Sequence, residues 1–137
     1  MSELKQVIIV RTKYPDGKGG TRGVRCGKLI AQACHASGKV LEAYKNCGYV
    51  YPDLDPDQEE DVKVWLSAGH RKIVVQVDTA DELVALWQAG NTARLPSYII
   101  KDSGHTEFGG EETFTAVAIG PAKPGTVDVI TGHLKLY

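Results

Sequence analysis

A lysine, a glutamine and a histidine recur along one helical stretch, and an aspartate ends a distant strand-like run. At about 100° per residue, Lys28, Gln32, His35, Lys39 and Glu42 of GKLIAQACHASGKVLEAY fall near one line of a helix. Leu29, Ile30, Ala33, Ser37, Val40, Leu41 and Tyr44 fall on the other side, as expected where one face packs on a core. A cation in the first turn of a helix opposes the helix dipole by a few tenths to about 1 kcal/mol. Lys28 therefore asks for a compensating anion or a function, and Asp102 could be that anion. A lysine of this kind suits an oxyanion or a phosphate. The competing reading of the stripe is the solvated side of an ordinary amphipathic helix.

Other chemistries fit less well. GVRCGKL has the wrong residues for a phosphate-binding P-loop, since the GxxxxGK[ST] spacing puts Arg22 at the first glycine and Leu29 at the magnesium-binding hydroxyl. Cys26 near a helix start could have a lowered pKa, but His35 lies about 13 Å further along the same helix at 1.5 Å per residue. Cys34 and His35 are neighbours that point about 100° apart, so neither cysteine forms a dyad with His35 within the helix. GxSxG, HExxH and carboxylate-rich metal loops are missing from the sequence, and His70, His105 and His133 have no ligand spacing. The expectation is chemistry without a metal or cofactor.

Charge is unevenly distributed although it sums to -1. Arg11, Lys13, Lys18, Arg22, Arg25 and Lys28 face a single acid, Asp16, in one stretch, whereas Asp53, Asp55, Asp57, Glu59, Glu60 and Asp61 crowd another. Clustered cations among glycines suit phosphates, because neutralising each phosphate releases condensed counterions. Nucleic acid is thus one reading of the basic loop; a mobile, solvated loop is the other.

The elements that would position these groups alternate strand with helix. QVIIVR (Gln6 to Arg11) reads as a central strand covered on both faces. After the glycine-rich loop comes a helix from about Arg25 to Asn46, then helices over Asp57 to Ala68 and Asp78 to Gly90, with strands at Lys72 to Val77, Pro96 to Ile100 and Thr113 to Ile119. A short helical turn after Pro124 and a tail from Thr131 close the chain. This order predicts a single α/β domain over residues 1–137: a three-layer sandwich with a mixed sheet of about four strands and helices on both faces. The short link between the third and fourth strands predicts an antiparallel pair in an otherwise parallel layout. Ligands in such sheets bind beyond the carboxyl ends of strands, and Lys28 and Asp102 reach the same edge if the first and third strands run parallel. Length, 42% hydrophobic content and 24% charge describe a globular chain. The early apolar run Val7 to Val10 is far short of a signal-peptide core or a membrane span, and three cysteines without CxxC spacing suit a reducing compartment. The expected location is the cytoplasm.

Six runs give the chain a recognisable pattern: KQVIIVR (Lys5 to Arg11), GKLIAQACHAS (Gly27 to Ser37), RKIVVQVD (Arg71 to Asp78), LPSYIIKDSGHTEF (Leu95 to Phe108), AVAIGPA (Ala116 to Ala122) and ITGHLKLY (Ile130 to Tyr137). Together, and in this order, they resemble the class II, archaeal and eukaryotic-type, peptidyl-tRNA hydrolases. The most specific parts are the GK-[IL]-x-A-Q-x-x-H-A helix start, the D-x-G-x-T turn and the closing I-T-G-H-L-K-L.

The resemblance implies hydrolysis of the ester joining a peptide to the terminal ribose of tRNA, which recycles tRNA from dropped chains, on a mixed α/β sandwich that is a homodimer and needs no cofactor. It places the family's lysine on Lys28, its glutamine and histidine on Gln32 and His35, its aspartate on Asp102 and its threonine on Thr106. Departures are the long Arg11 to Lys28 loop, the acidic connection from Tyr49 to Asp61, and His105 and Glu107 where arginine and glutamine usually flank the threonine. The loop and the two replacements bear on substrate contacts more than on the core chemistry. A close Lys28 would weaken Asp102 as a base, so Asp102 is expected to orient Lys28 and a water, with Thr106 and backbone amides fixing the geometry. Gln32, His35 and His105 are expected at the substrate, with Arg22 and Arg25 on tRNA. The alternatives are a noncatalytic tRNA-binding or protein-interaction module on the same fold, and a hydrolase of another ester such as a D-aminoacyl-tRNA.

Overall fold

Six of the seven residues of strand β1 (Lys5–Arg11) are buried, which is what a β-branched run without alternation requires of a strand at the centre of a sheet. The computed structural model describes residues 3–46, 54, 56–102 and 112–137. The basic loop folds into a small hairpin, β2 (Tyr14–Pro15) with β3 (Thr21–Arg22), which leads into helix α1 (Cys26–Asn46). Helix α2 (Pro56–Ser67), strand β4 (Lys72–Val77) and helix α3 (Ala80–Thr92) follow. Strands β5 (Ser97–Asp102) and β6 (Thr113–Ala122), helix α4 (Pro124–Thr131) and strand β7 (Lys135–Leu136) complete the order.

The main sheet has five strands in the order β5-β6-β1-β4-β7, one more than expected because the tail adds β7 beside β4. The class is the expected mixed α/β, but the sheet is less parallel than the sequence suggested. β1 pairs with β4 in parallel through a long helical crossover, whereas β6 inserts between β5 and β1 and is antiparallel to both. The most continuously buried strand takes the inner slot, where both faces are covered. Because β5 and β1 both oppose β6, they run in the same direction, and their carboxyl ends share one edge.

Helices cover both faces. Leu83 of α3 and Val127 of α4 pack with Val7, Ile9, Val75, Val117 and Ile119 on one side. On the other, α1 lays Leu29 near Ile8 and Val10 and sets Ala36 against Ile100, Ala116 and Ala118, while Val40 meets Val62 and Trp65 of α2. A buried polar pair fixes α1 on β1: Ser37 Oγ donates to Gln6 Oε1 at 2.6 Å. Helix α3 starts at Ala80 rather than Asp78, because Thr79 caps it by accepting from the Glu82 amide at 3.2 Å. It sits close on β5 through Gly90, where any Cβ would collide with Ser97 Oγ.

Helix α1 corrects the expected faces in part. Its buried residues are Leu29, Gln32, Ala36, Ser37 and Val40, so Gln32 points inward, while Ile30 (59% exposed) and Leu41 (40%) face outward. Gln32 can be buried because the sheet beneath it supplies polar partners.

Candidate active site

The third residue of α1 is Lys28, in a first turn that contains no acid, so any compensating anion has to come from elsewhere in the fold. It comes from the end of β5. Lys28 Nζ lies 2.7 Å from Asp102 Oδ2, and both side chains are only 13% exposed. Gln32, one turn further along α1, donates from Nε2 to the same oxygen at 2.6 Å. Its other amide atom is held from below, where Thr115 Oγ1 on β6 donates to Gln32 Oε1 at 2.9 Å. Thr115, Gln32, Asp102 and Lys28 thus form one chain of contacts leading from the core to the sheet's edge.

Little water reaches this pair, so its attraction is stronger than that of a surface ion pair. Desolvation is costly for both ions, and removing one partner of such a buried pair typically costs about 3–5 kcal/mol. The arrangement gives a fixed, partly dry ammonium at the rim of the fold, aligned by an anion that Gln32 also holds. Such a cation can stabilise negative charge developing on a carbonyl oxygen without reorganising first.

Of the other sequence candidates, His35 is exposed, on the flank of α1 that faces β5, beside a groove of about 630 Å³ whose lining includes Gly38, Lys39, Ile99 and Lys101. At about 1.5 Å per residue it stands some 10 Å along the helix from Lys28. Gln32, expected at the substrate, is instead 3% exposed and spent on Asp102 and Thr115. Thr106 and His105 lie outside the described residues. A second, apolar groove of about 580 Å³ runs along the other flank of α1, lined by Ile8, Val10, Leu29, Ala33, Trp65 and Val74 among others. Lys28, Gln32 and Asp102 are absent from its lining, so this apolar space and the polar chemistry are on different sides of the helix.

The basic hairpin is also sorted by the structure. Arg11 is buried over the Tyr14 ring at 4.2 Å and donates to the carbonyls of Lys13 and Phe114, so it is a structural cation. Burial lowers its pKa, an effect opposed by Tyr14 and Asp81. Lys13 pairs with Asp78 at 3.3 Å. Lys18 and Arg25 are exposed and Arg22 is half-buried. The loop is shaped by Asp16, whose Oδ1 accepts from the amides of Lys18 (2.7 Å) and Gly20 (3.0 Å). Those two donations hold the Asp16 carboxyl below its usual value.

Thr115 is the member of the site that sequence reasoning missed. TFTAVAI reads as a strand and nothing more, yet a hydroxyl in an otherwise apolar inner strand needs a buried partner, and that need was the available signal.

Comparison with known proteins covers almost the whole chain. The family model described as "Peptidyl-tRNA hydrolase PTH2" matches residues 4–137. A peptidyl-tRNA hydrolase of Methanocaldococcus jannaschii is 37% identical over 133 residues, covering 97% of this chain and 99% of that protein. The one from Methanothermobacter thermautotrophicus is 35% identical over the same shares. A probable peptidyl-tRNA hydrolase 2 of Dictyostelium discoideum is 34% identical over 138 residues, which is 100% of this chain and 56% of that protein.

Proposed function

Because the chain belongs to the peptidyl-tRNA hydrolase PTH2 family and is an enzyme that hydrolyses peptidyl-tRNA, we propose that Lys28, Asp102 and Thr106 carry the chemistry. Water adds to the carbonyl carbon of the ester between peptide and ribose, and the Lys28 ammonium stabilises the oxyanion. The carbon–oxygen bond to the ribose then breaks, one proton of the added water passes to the ribose oxygen and the other to solvent, and the peptide leaves as a carboxylate. Asp102 aligns Lys28 and the water; held so close to a cation, it acts as an orienting anion more than as a strong base. Thr106 fixes the acyl end with backbone amides. His35 and His105 contact the acceptor end, and Arg22 and Arg25 hold tRNA phosphates. Gln32 acts through Asp102, which replaces the substrate contact that its sequence position suggested. The role is to recycle tRNA from dropped chains in the cytoplasm; among the described residues no helix is long and apolar enough to cross a membrane.

The observation that carries this reading is the 2.7 Å Lys28–Asp102 pair, which sets an oriented, partly dry cation at an accessible edge. The test is release of deacylated tRNA from N-acetyl-aminoacyl-tRNA by the purified protein, with chelator present and Lys28→Ala alongside. Cleavage by wild type and not by Lys28→Ala is expected. Tight tRNA binding without cleavage would point to a binding module, and preference for a free amino group would point to another aminoacyl ester.

The protein acts as a homodimer of chains in which residues 1–137 form one domain. Support comes from the apolar groove and from Ile30 and Leu41, which stand exposed on the same helix. A surface that carries both projecting side chains and a recess can pair with its own copy about a two-fold axis. Sedimentation of wild type against Ile30→Lys/Leu41→Lys tests this, with a change from dimer to monomer expected.

A further inference from the structure

Strand β6 carries one residue more than its neighbour at a single point. Ile100 pairs with Ala116 and Lys101 with Phe114, so Thr115 is the extra residue of a β-bulge. A bulge shifts the phase of the strand, and the packing records it. Phe114 and Val117 both face the core on the α3 side, although they are three residues apart and would point to opposite faces of a regular strand. Ala116 and Ala118 face α1. Thr115, which regular alternation would send to the α3 side with Val117, instead reaches Gln32 on α1. Bulges commonly re-aim a side chain beside an active site.

Thr115 is 1% exposed and Gln32 3%, so neither can exchange this contact for bulk water. Because the Asp102 carboxylate only accepts, Gln32 turns its amide nitrogen to it, which leaves Oε1 facing Thr115, whose hydroxyl donates to that oxygen and holds it in place. With the amide reversed, an oxygen would face a carboxylate that already has the Lys28 ammonium on the same atom. The chain Thr115, Gln32, Asp102 therefore has one stable sense.

We propose that Thr115 is a positioning residue of the hydrolase, delivered by the bulge, which locks the Gln32 amide and through it sets Asp102 against Lys28. This rests on the function proposed above. Replacement with Val keeps the shape but leaves Gln32 Oε1 without its donor; Gln32 then turns or admits water, and Asp102 loses alignment. Thr115 touches neither Lys28 nor substrate in this scheme, so its effect should appear in turnover and not in tRNA affinity.

The experiment measures kcat and KM on N-acetyl-aminoacyl-tRNA for Thr115→Val and Thr115→Ser, each in the wild-type and Gln32→Met backgrounds, with thermal unfolding of every variant. Thr115→Val should lower kcat about tenfold with KM within about twofold, the loss expected for one buried hydrogen bond. Thr115→Ser should recover most of it. In the Gln32→Met background Thr115→Val should cost less than about twofold, because the partner is already gone. Equal losses in both backgrounds, or no rescue by Ser, would overturn the proposal in favour of a packing role, as would unchanged kcat in Thr115→Val. If the Val variant unfolds at assay temperature, Thr115→Cys, a weak donor of similar size, takes its place with an intermediate loss expected. Absence of cleavage by wild type would count against the hydrolase reading itself and not specifically against Thr115.

Discussion

The two flanks of α1 are built from the same 21-residue helix and differ in almost every physical respect. On one, Lys28 and Gln32 converge on a single carboxylate oxygen. On the other, Leu29, Ala33, Val40 and the sheet residues Ile8, Val10 and Val74 line an apolar groove of about 580 Å³. The apolar recess is therefore a poor guide to the chemistry here. Fixed charge in a tight, partly dry setting is what lowers a barrier, whereas an apolar recess is what lowers the free energy of a partner surface. A helix can serve both because its 3.6-residue turn separates them by about half a circumference.

This separation can be broken most severely at the polar flank. Lys28→Ala should reduce kcat/KM about a hundredfold to a thousandfold, the range for removing one preorganised charge-stabilising donor, with Asp102→Asn close behind. Asp102→Asn should also lower the melting temperature, because it leaves the Lys28 ammonium without its anion in a site that is only 13% exposed. Steady-state kinetics and thermal scans measure both. The Ile30→Lys/Leu41→Lys variant should do the reverse: the dimer dissociates, while activity per chain stays within about threefold, since neither side chain contacts the network. A collapse of turnover in this variant would show that the two flanks depend on each other.

How much of this was legible beforehand follows from which signals are local. The strands and helices of the sequence reading fall near their observed places because hydrophobic period and capping residues act over a few positions. The contact of Lys28 with Asp102 also followed, since parallel β1 and β5 bring their ends to one edge. The insertion of β6 between them did not, because strand order depends on which faces can be covered, and nothing short-range encodes that. The same limit explains Gln32. A helical wheel places it on the polar stripe, but its burial depends on Thr115, and Thr115 reaches it only through a bulge defined by the pairing of two strands. Arg11 erred in the opposite direction: counted with the basic loop, it is held inside by Tyr14, which no charge tally reveals.

A milder probe lies before α1, in the hairpin. If Arg22 and Arg25 serve the polar flank through tRNA phosphates, Arg22→Gln/Arg25→Gln should weaken tRNA binding and flatten the slope of log K against log salt by about 1 to 2. Oligomeric state should not change. An unchanged slope, measured by titration at several salt concentrations, would return the hairpin to a solvated loop that serves neither flank.

The smallest effect is expected at Asp16, which shapes the hairpin without entering either flank. Its carboxylate accepts from the Lys18 and Gly20 amides, and those donations depress its pKa in the folded protein. A depressed folded value means that the contribution to the hairpin is full above the ordinary aspartate range and is lost as pH falls through the folded value. At neutral pH the hairpin is therefore fully held, and catalysis should show no titration from this group. Acidification should move the amide proton shifts of Lys18 and Gly20 together, with a midpoint below that of an unfolded aspartate. Asp16→Asn keeps an acceptor oxygen in place and should remove that transition while changing tRNA affinity less than about threefold, because a neutral side chain can still close the same turn. A large loss of affinity in Asp16→Asn would mean that the carboxylate charge itself sets how Arg22 and Arg25 meet the substrate, and the hairpin would then have to be treated as part of the polar flank.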